Sequence, residues 1–122
     1  MINKEDANIL IVDDIEDNRY TLERRLKRDG YKNIFLAEGG KIALDMAVEN
    51  KFDLILLDLM MPDMSGLEVL KHLKGDPLQR SIPVIMVTAS DEVETAAECI
   101  INGADDFITK PFNGTLLKAR VG

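Results

Sequence analysis

The chain alternates between short unbroken apolar runs and longer stretches whose apolar residues recur at helical spacing. Each apolar run closes on a polar residue: residues 9–12 on Asp13-Asp14, 54–57 on Asp58, 84–87 on Thr88, and Phe107-Ile108 on Thr109-Lys110. Between them lie amphipathic segments. The first spans roughly residues 17–29, carries Leu22 and Leu26 on one face, and stops at Gly30. The second carries Ile42, Ala43, Met46 and Ala47, and the third carries Leu67, Leu70 and Leu73 after Ser65-Gly66. The fourth opens with Ser90-Asp91-Glu92, places Val93, Ala96, Ala97, Ile100 and Ile101 at helical spacing, and closes at Asn102-Gly103; a short fifth begins at Asn113.

Strand then helix, five times over, predicts an α/β fold with a parallel sheet covered by helices on both faces. The uncharged runs 54–57 and 82–87 suit strands buried on both sides. Parallel strands share one carboxyl edge, where such folds bind ligands. Asp13, Asp14, Asp58, Thr88 and Lys110 are therefore expected to converge there.

With 122 residues the chain fits one domain, 1–122, with no internal repeat or linker to divide it. Its net charge of −7, from 22 acids against 15 Lys plus Arg, disfavours nucleic acid and anionic membrane as partners and favours proteins or a cation. Cys99 has no second cysteine to pair with, which points to a reducing, cytoplasmic setting and to a role as apolar filler. No stretch has the length of a signal peptide core or a membrane span.

At the shared edge three carboxylates face one ammonium, an imbalance that a divalent cation would relieve. Oxygen ligands without His or Cys select a hard ion, and Mg2+ fits better than zinc. Beside that ion and Lys110, Asp58 stays ionised and nucleophilic, and its attack on phosphorus would give an acyl phosphate. Lys110 and the Thr88 hydroxyl can neutralise and position the transferred oxygens. Taken singly, each residue has a plainer role: Asp13 and Asp14 as helix caps, although Asp17 suits that task better; Asp58 as the opening of a turn; Thr88 as a last strand residue; Lys110 as a solvated amine. Four complementary parts at four strand ends favour the joint chemical reading.

These residues carry a family resemblance. Ile11-Val12-Asp13-Asp14, Leu57-Asp58-Leu59-Met60-Met61-Pro62-Asp63-Met64-Ser65-Gly66, Val87-Thr88-Ala89, Gly103-Ala104-Asp105-Asp106-Phe107 and Lys110-Pro111-Phe112 resemble the response-regulator receiver domains of two-component signalling over nearly the whole chain. The resemblance implies a flavodoxin-like strand order 2-1-3-4-5 and a cis bond between Lys110 and Pro111. It implies Asp58 as phosphoacceptor from a sensor histidine kinase or phosphotransfer protein. Asp14 and Asp58 would bind Mg2+ directly, Asp13 largely through water, and Met60 through its backbone carbonyl. Thr88 and Lys110 would hold phosphate oxygens. Phe107 takes the switch-aromatic position, turning inward when Thr88 moves and changing the face made by the fourth helix, fifth strand and fifth helix. Met60 and Ser90 stand where the family tunes phosphate lifetime.

Arg19, Arg24, Arg25, Lys27 and Arg28 crowd the first helix, a solvated face or, by the resemblance, a docking surface for the kinase through Arg19, Arg24 and Arg25. His72 reads as a surface residue. An aspartate-based phosphatase would want an acid two positions after the nucleophile, where Met60 stands, and a nucleotide-binding module would want a phosphate loop in place of the acids after the first strand. A receiver-shaped interaction module that is never phosphorylated would not need Asp14, Asp58, Thr88 and Lys110 together. Output is expected through an attached domain or effector protein, including a dimer on activation, and the chain reads as a fragment of a larger regulator.

Overall fold

The computed structural model describes residues 3–110 and 114–121. The expected cis bond before Pro111, the start of the fifth helix at Asn113 and the side chain of Ser90 lie outside the described residues. Five strands, β1 (Asn8–Val12), β2 (Asn33–Ala37), β3 (Leu54–Asp58), β4 (Val84–Ala89) and β5 (Asp106–Lys110), alternate with helices α1 (Glu16–Arg28), α2 (Gly40–Glu49), α3 (Gly66–Gly75), α4 (Val93–Ile101) and α5 (Gly114–Val121). All strand pairs are parallel and the order is β2-β1-β3-β4-β5, the flavodoxin-like arrangement that the resemblance implied.

Alternation along the central strands builds two cores. Leu10, Val12, Ile55, Leu57, Val84 and Met86 pack with α2, α3 and Cys99 of α4, while Ile9, Ile11, Leu54, Leu56, Ile85 and Val87 pack with Leu22 and Leu26 of α1 and Leu117 of α5. Burial of each such large side chain contributes about 1.5–3 kcal/mol. Because β3 is buried along its whole length, it needs apolar residues at every position up to Asp58. Two acids fasten strand starts: Asp53 Oδ2 accepts from Asn8 N at 2.8 Å and Asp105 Oδ2 from Val84 N at 2.8 Å.

The helix signals differ in detail from the expectation. Asp17 does not cap α1; Ile15 stands at the N-cap with no side-chain cap, and Asp17 lies within the first turn, where its charge still favours the helix dipole. α1 and α4 both end in a Schellman motif. Tyr31 N donates to Leu26 O and Gly30 N to Lys27 O after α1, and Ala104 N to Cys99 O and Gly103 N to Ile100 O after α4. The two glycines have φ of 104° and 110°, conformations that a side chain would strain. Ser65 opens α3 through a capping box with Glu68. The segment Ser90–Glu92 forms a 3-10 turn, and α4 starts at Val93. α4 turns Ala96 and Cys99 inward and leaves Ile101 84% exposed, with Ala97 and Ile100 also outward, because its apolar positions cover more of the helix circumference than one core can bury. Ile42 of α2 is likewise exposed, and His72 is a surface residue as expected.

Gly66 begins α3 where a Cβ would press on the carbonyl of Asp58 and come within 2.9 Å of Leu59 Cα, both backbone atoms. Gly75, at the other end of the same helix, has nothing within 4 Å of that position. Gly66→Ala should therefore destabilise the protein by about 2–3 kcal/mol despite the better helix propensity of alanine. Gly75→Ala should instead stabilise it by about 0.4–1 kcal/mol. Urea denaturation of the two variants checks the opposite signs, and equal effects would contradict this packing.

Candidate functional site

Register sets the site. Val12 pairs with Leu57, so Asp13 and Asp58 follow side by side as β1 and β3 run out of the sheet. Ala89 pairs with Lys110, which brings β5 to the same edge. Asp13 is 1% and Asp58 4% exposed, whereas Asp14 is half-buried. One carboxylate oxygen from each of Asp13, Asp14 and Asp58 lies within 4.8 Å of the others. Lys110 Nζ stands 3.1 Å from Asp58 Oδ1 and 3.4 Å from Asp13 Oδ2.

The first turn of α1 orients Asp13. Its Oδ1 accepts from Ile15 N at 2.9 Å and from Asn18 Nδ2 at 3.5 Å, and its main-chain carbonyl accepts from Arg19 Nη1 at 2.7 Å. Its Oδ2 is buried and has no hydrogen-bond partner, only the longer ion pair with Lys110. An unsatisfied buried carboxylate oxygen is costly.

Three carboxylates against one ammonium leave the edge electron-rich. Burial, then the charge of Asp13, pushes Asp58 up to about 6; Lys110 offsets part of this by hydrogen bond and charge, and Asp14 adds to the rise. Burial pulls Lys110 down, but the hydrogen bond and charge of Asp58, followed by the charge of Asp13, outweigh it and raise the lysine. The ammonium is thus held firmly while Asp58 remains mostly ionised at neutral pH. Oxygen-only ligands, the excess of negative charge and the orphaned Asp13 Oδ2 together fit a hard divalent cation.

Not every residue expected at this edge meets the cluster. Thr88 is fully buried, and its hydroxyl donates to the carbonyl of Ala89 at 3.1 Å. Following Val84 and Met86 in the alternation of β4, it points to the side of the sheet covered by α2, α3 and α4. Phe107 pairs with Met86 and packs, half-buried, against that same core, so it lies diagonal to Thr88 across the β4–β5 ladder. The Met60 side chain is 61% exposed and turned away to solvent. Arg24 is exposed and lies over the Tyr20 ring at 5.5 Å, and Arg25 is half-buried. Arg19 is half-buried and committed to Asp13.

Sequence reading missed two supports. Asp63 accepts from Lys41 N at 3.1 Å and Gly40 N at 3.2 Å, bonds that hold its carboxyl below the usual range and tie the loop after Asp58 to the start of α2. The signal was Gly39-Gly40, a helix start without a capping side chain of its own. Glu92 accepts from Ala89 N at 3.2 Å and braces the end of β4, with no sequence signal. A cleft of about 610 Å³ lined by Val48, Phe52, Asp53, Leu78 and Ile82 lies at the opposite, amino edge of the strands, away from the acid cluster.

A parallel sheet carrying an oxygen-only cation pocket and a paired ammonium at its carboxyl edge is suited to hold a hard cation beside a buried carboxylate. Residues 9–122 match the response regulator receiver domain model, and the chain belongs to that family. It is similar to the response regulator PleD of Caulobacter vibrioides, 45% identical over 115 residues that cover 94% of this chain and 25% of that protein. It is also similar to the cell cycle transcriptional regulator CtrA of the same organism, 34% identical over 93% of this chain and 48% of that one. Among solved structures, chemotaxis protein CheY4 of Vibrio cholerae superposes with a TM-score of 0.86 at 31% identity, covering 94% of this chain and 95% of that one. The chain thus spans between a quarter and a half of these two curated relatives. It is a phosphorylation-dependent regulatory switch of two-component signalling, a family that binds Mg2+ at an acidic site and works with histidine kinases and output domains. Among the described residues no helix is long and apolar enough to cross a membrane.

Asp58 is an acid whose proton affinity rises on folding, from 3.8 to about 6. Its ionisation therefore weakens the fold as pH climbs through that interval, by at most about 3 kcal/mol once complete. Without divalent cations, Asp58→Asn should melt above the wild type at pH 8, and the gain should fade as pH drops from 6 to 4. Thermal melts across this range check it; an Asn variant no more stable at pH 8 would contradict the electrostatics.

Proposed function

We propose that Asp58 is the phosphoacceptor, taking a phosphoryl group from a phosphohistidine of a sensor kinase or phosphotransfer protein. The observation that carries this reading is the pairing of buried Asp58 with half-buried Lys110, set beside an Asp13 oxygen with no hydrogen-bond partner. An Asp58 carboxylate oxygen attacks phosphorus as the phosphorus–nitrogen bond breaks, and the imidazole leaves with the electron pair. Asp13, Asp14 and Asp58, with the backbone carbonyl of Met60, would hold Mg2+. The ion, when bound, supplies charge neutralisation for the transferred oxygens. Lys110 hands part of its hydrogen bonding from Asp58 to the new phosphate, and Thr88 turns its hydroxyl from the Ala89 carbonyl toward it.

Withdrawal of Thr88 opens space on the side where Phe107 packs, so ring position reports phosphorylation through packing alone, as phenylalanine has no hydroxyl. The exposed Ile100 and Ile101 on α4 support that neighbourhood as the output face, met by an attached domain, an effector or a second copy. Arg24 and Arg25 on α1 serve kinase docking, whereas Arg19, expected with them, turns inward to the Asp13 carbonyl. We read residues 1–122 as a single cytoplasmic receiver unit of a larger regulator, one that catalyses only its own phosphorylation and dephosphorylation.

Incubation with acetyl phosphate and Mg2+, read by intact mass, should add one phosphoryl group, lost with EDTA and absent in Asp58→Asn. No adduct on the wild type, or one that survives the substitution, overturns the assignment. The doubly reversed Arg24→Glu/Arg25→Glu variant should slow transfer from the cognate donor about tenfold more than transfer from acetyl phosphate. Equal slowing with both donors rejects docking through these residues.

A further inference from the structure

We propose that Arg19 is a positioning residue of the acidic cluster, a clamp that fixes Asp13 for cation binding rather than a contact for a partner; the idea rests on the phosphoacceptor reading above. Three donors from the loop and first turn of α1 converge on Asp13: Ile15 N and Asn18 Nδ2 on Oδ1, and the Arg19 guanidinium on the main-chain carbonyl. The carbonyl bond is the shortest of the three, at 2.7 Å, and is charge-assisted. It reaches back six residues from the helix to the first residue beyond β1, closing the β1–α1 loop on itself.

The consequence falls on the other carboxylate oxygen. With Oδ1 occupied and the main chain held, rotation of the Asp13 carboxylate is restricted, and Oδ2 is left facing Lys110 at 3.4 Å, buried and without a hydrogen bond. Partners of this sort behind a metal ligand set its orientation, and losing one typically weakens metal binding 10–100-fold. Arg19 also differs from its neighbours on α1. Arg24 is exposed and stacked on Tyr20, and Arg28 is exposed at the last turn, whereas Arg19 is half-buried with its guanidinium already engaged.

Charge and positioning predict opposite signs. A cation next to three carboxylates repels Mg2+, so if charge alone mattered, removing it would tighten binding. A clamp that holds Asp13 in place would loosen binding on removal. Mg2+ titration by calorimetry of Arg19→Gln should give a dissociation constant raised about tenfold, with Arg19→Lys, which keeps the charge and one donor, in between. Arg28→Gln should bind as the wild type does. In metal-free protein the Ile15 amide should exchange with solvent faster in Arg19→Gln. Unchanged or tighter Mg2+ binding by Arg19→Gln overturns the clamp, including the case where only the melting temperature falls. If Arg19→Gln does not fold, Arg19→Lys decides: wild-type Mg2+ affinity overturns the proposal. If the wild type itself binds no Mg2+, the phosphoacceptor reading fails separately, and the clamp is judged on Ile15 exchange, where a wild-type rate in Arg19→Gln overturns it.

Discussion

Everything at the carboxyl edge of the sheet depends on one electrostatic constraint: buried carboxylates cannot be crowded together unless positive charge is brought to them. Asp58 ends a strand that is buried along its full length, and Asp13 beside it is as deeply enclosed. Lys110, on the opposite side of the sheet's centre, reaches both, yet one ammonium cannot satisfy two enclosed acids and a third at their border. The arrangement is therefore held short of its electrostatic minimum, and that shortfall is what gives the site an appetite for a hard ion, whose charge phosphoryl oxygens would need before they could approach.

The rest of the fold holds this imbalance in place. Gly66 lets α3 start against the Asp58 carbonyl, Asp63 fastens the following loop to α2, and the first turn of α1 grips Asp13. Each support comes from a different helix, so the acidic pair is fixed from three directions by hydrogen bonds and close packing rather than by one enclosing cavity. Phosphoryl transfer asks for this kind of placement more than for covalent machinery.

The architecture was legible because apolar runs and helical spacing alternate without ambiguity, and because each run ends on a polar residue that marks where its strand leaves the core. Strand order was not contained in that alternation; it came from resemblance to a family. The side of the sheet each residue faces was written in the period-two pattern of β4 and β5, yet convergence at one edge was easier to infer than orientation, and Thr88 was expected with the acids whereas its hydroxyl donates to the Ala89 carbonyl. Helix starts were harder still. Asp17 looked like a cap by residue type, but capping depends on backbone angles at Ile15, and α2 receives its cap from Asp63, more than twenty residues away. Five apolar residues in α4 read as a core stripe, although of these Ala97, Ile100 and Ile101 lie outward while Ala96 turns inward beside Cys99.

The two-sided alternation of the strands carries a consequence for how such a molecule diverges. Asp13, Asp58 and Lys110 open toward the layer of α1 and α5, whereas Thr88 and the ring of Phe107 belong to the layer of α4. On the roles proposed above, the sheet is a partition: the phosphoryl group would arrive on the side of α1 and α5, and Thr88 at the tip of β4 would carry the change to the side where Phe107 packs. Were donors met on α1 and effectors on α4, surface changes that retune which donor is heard would leave the other face untouched, and input and output vocabularies could drift independently on a shared frame.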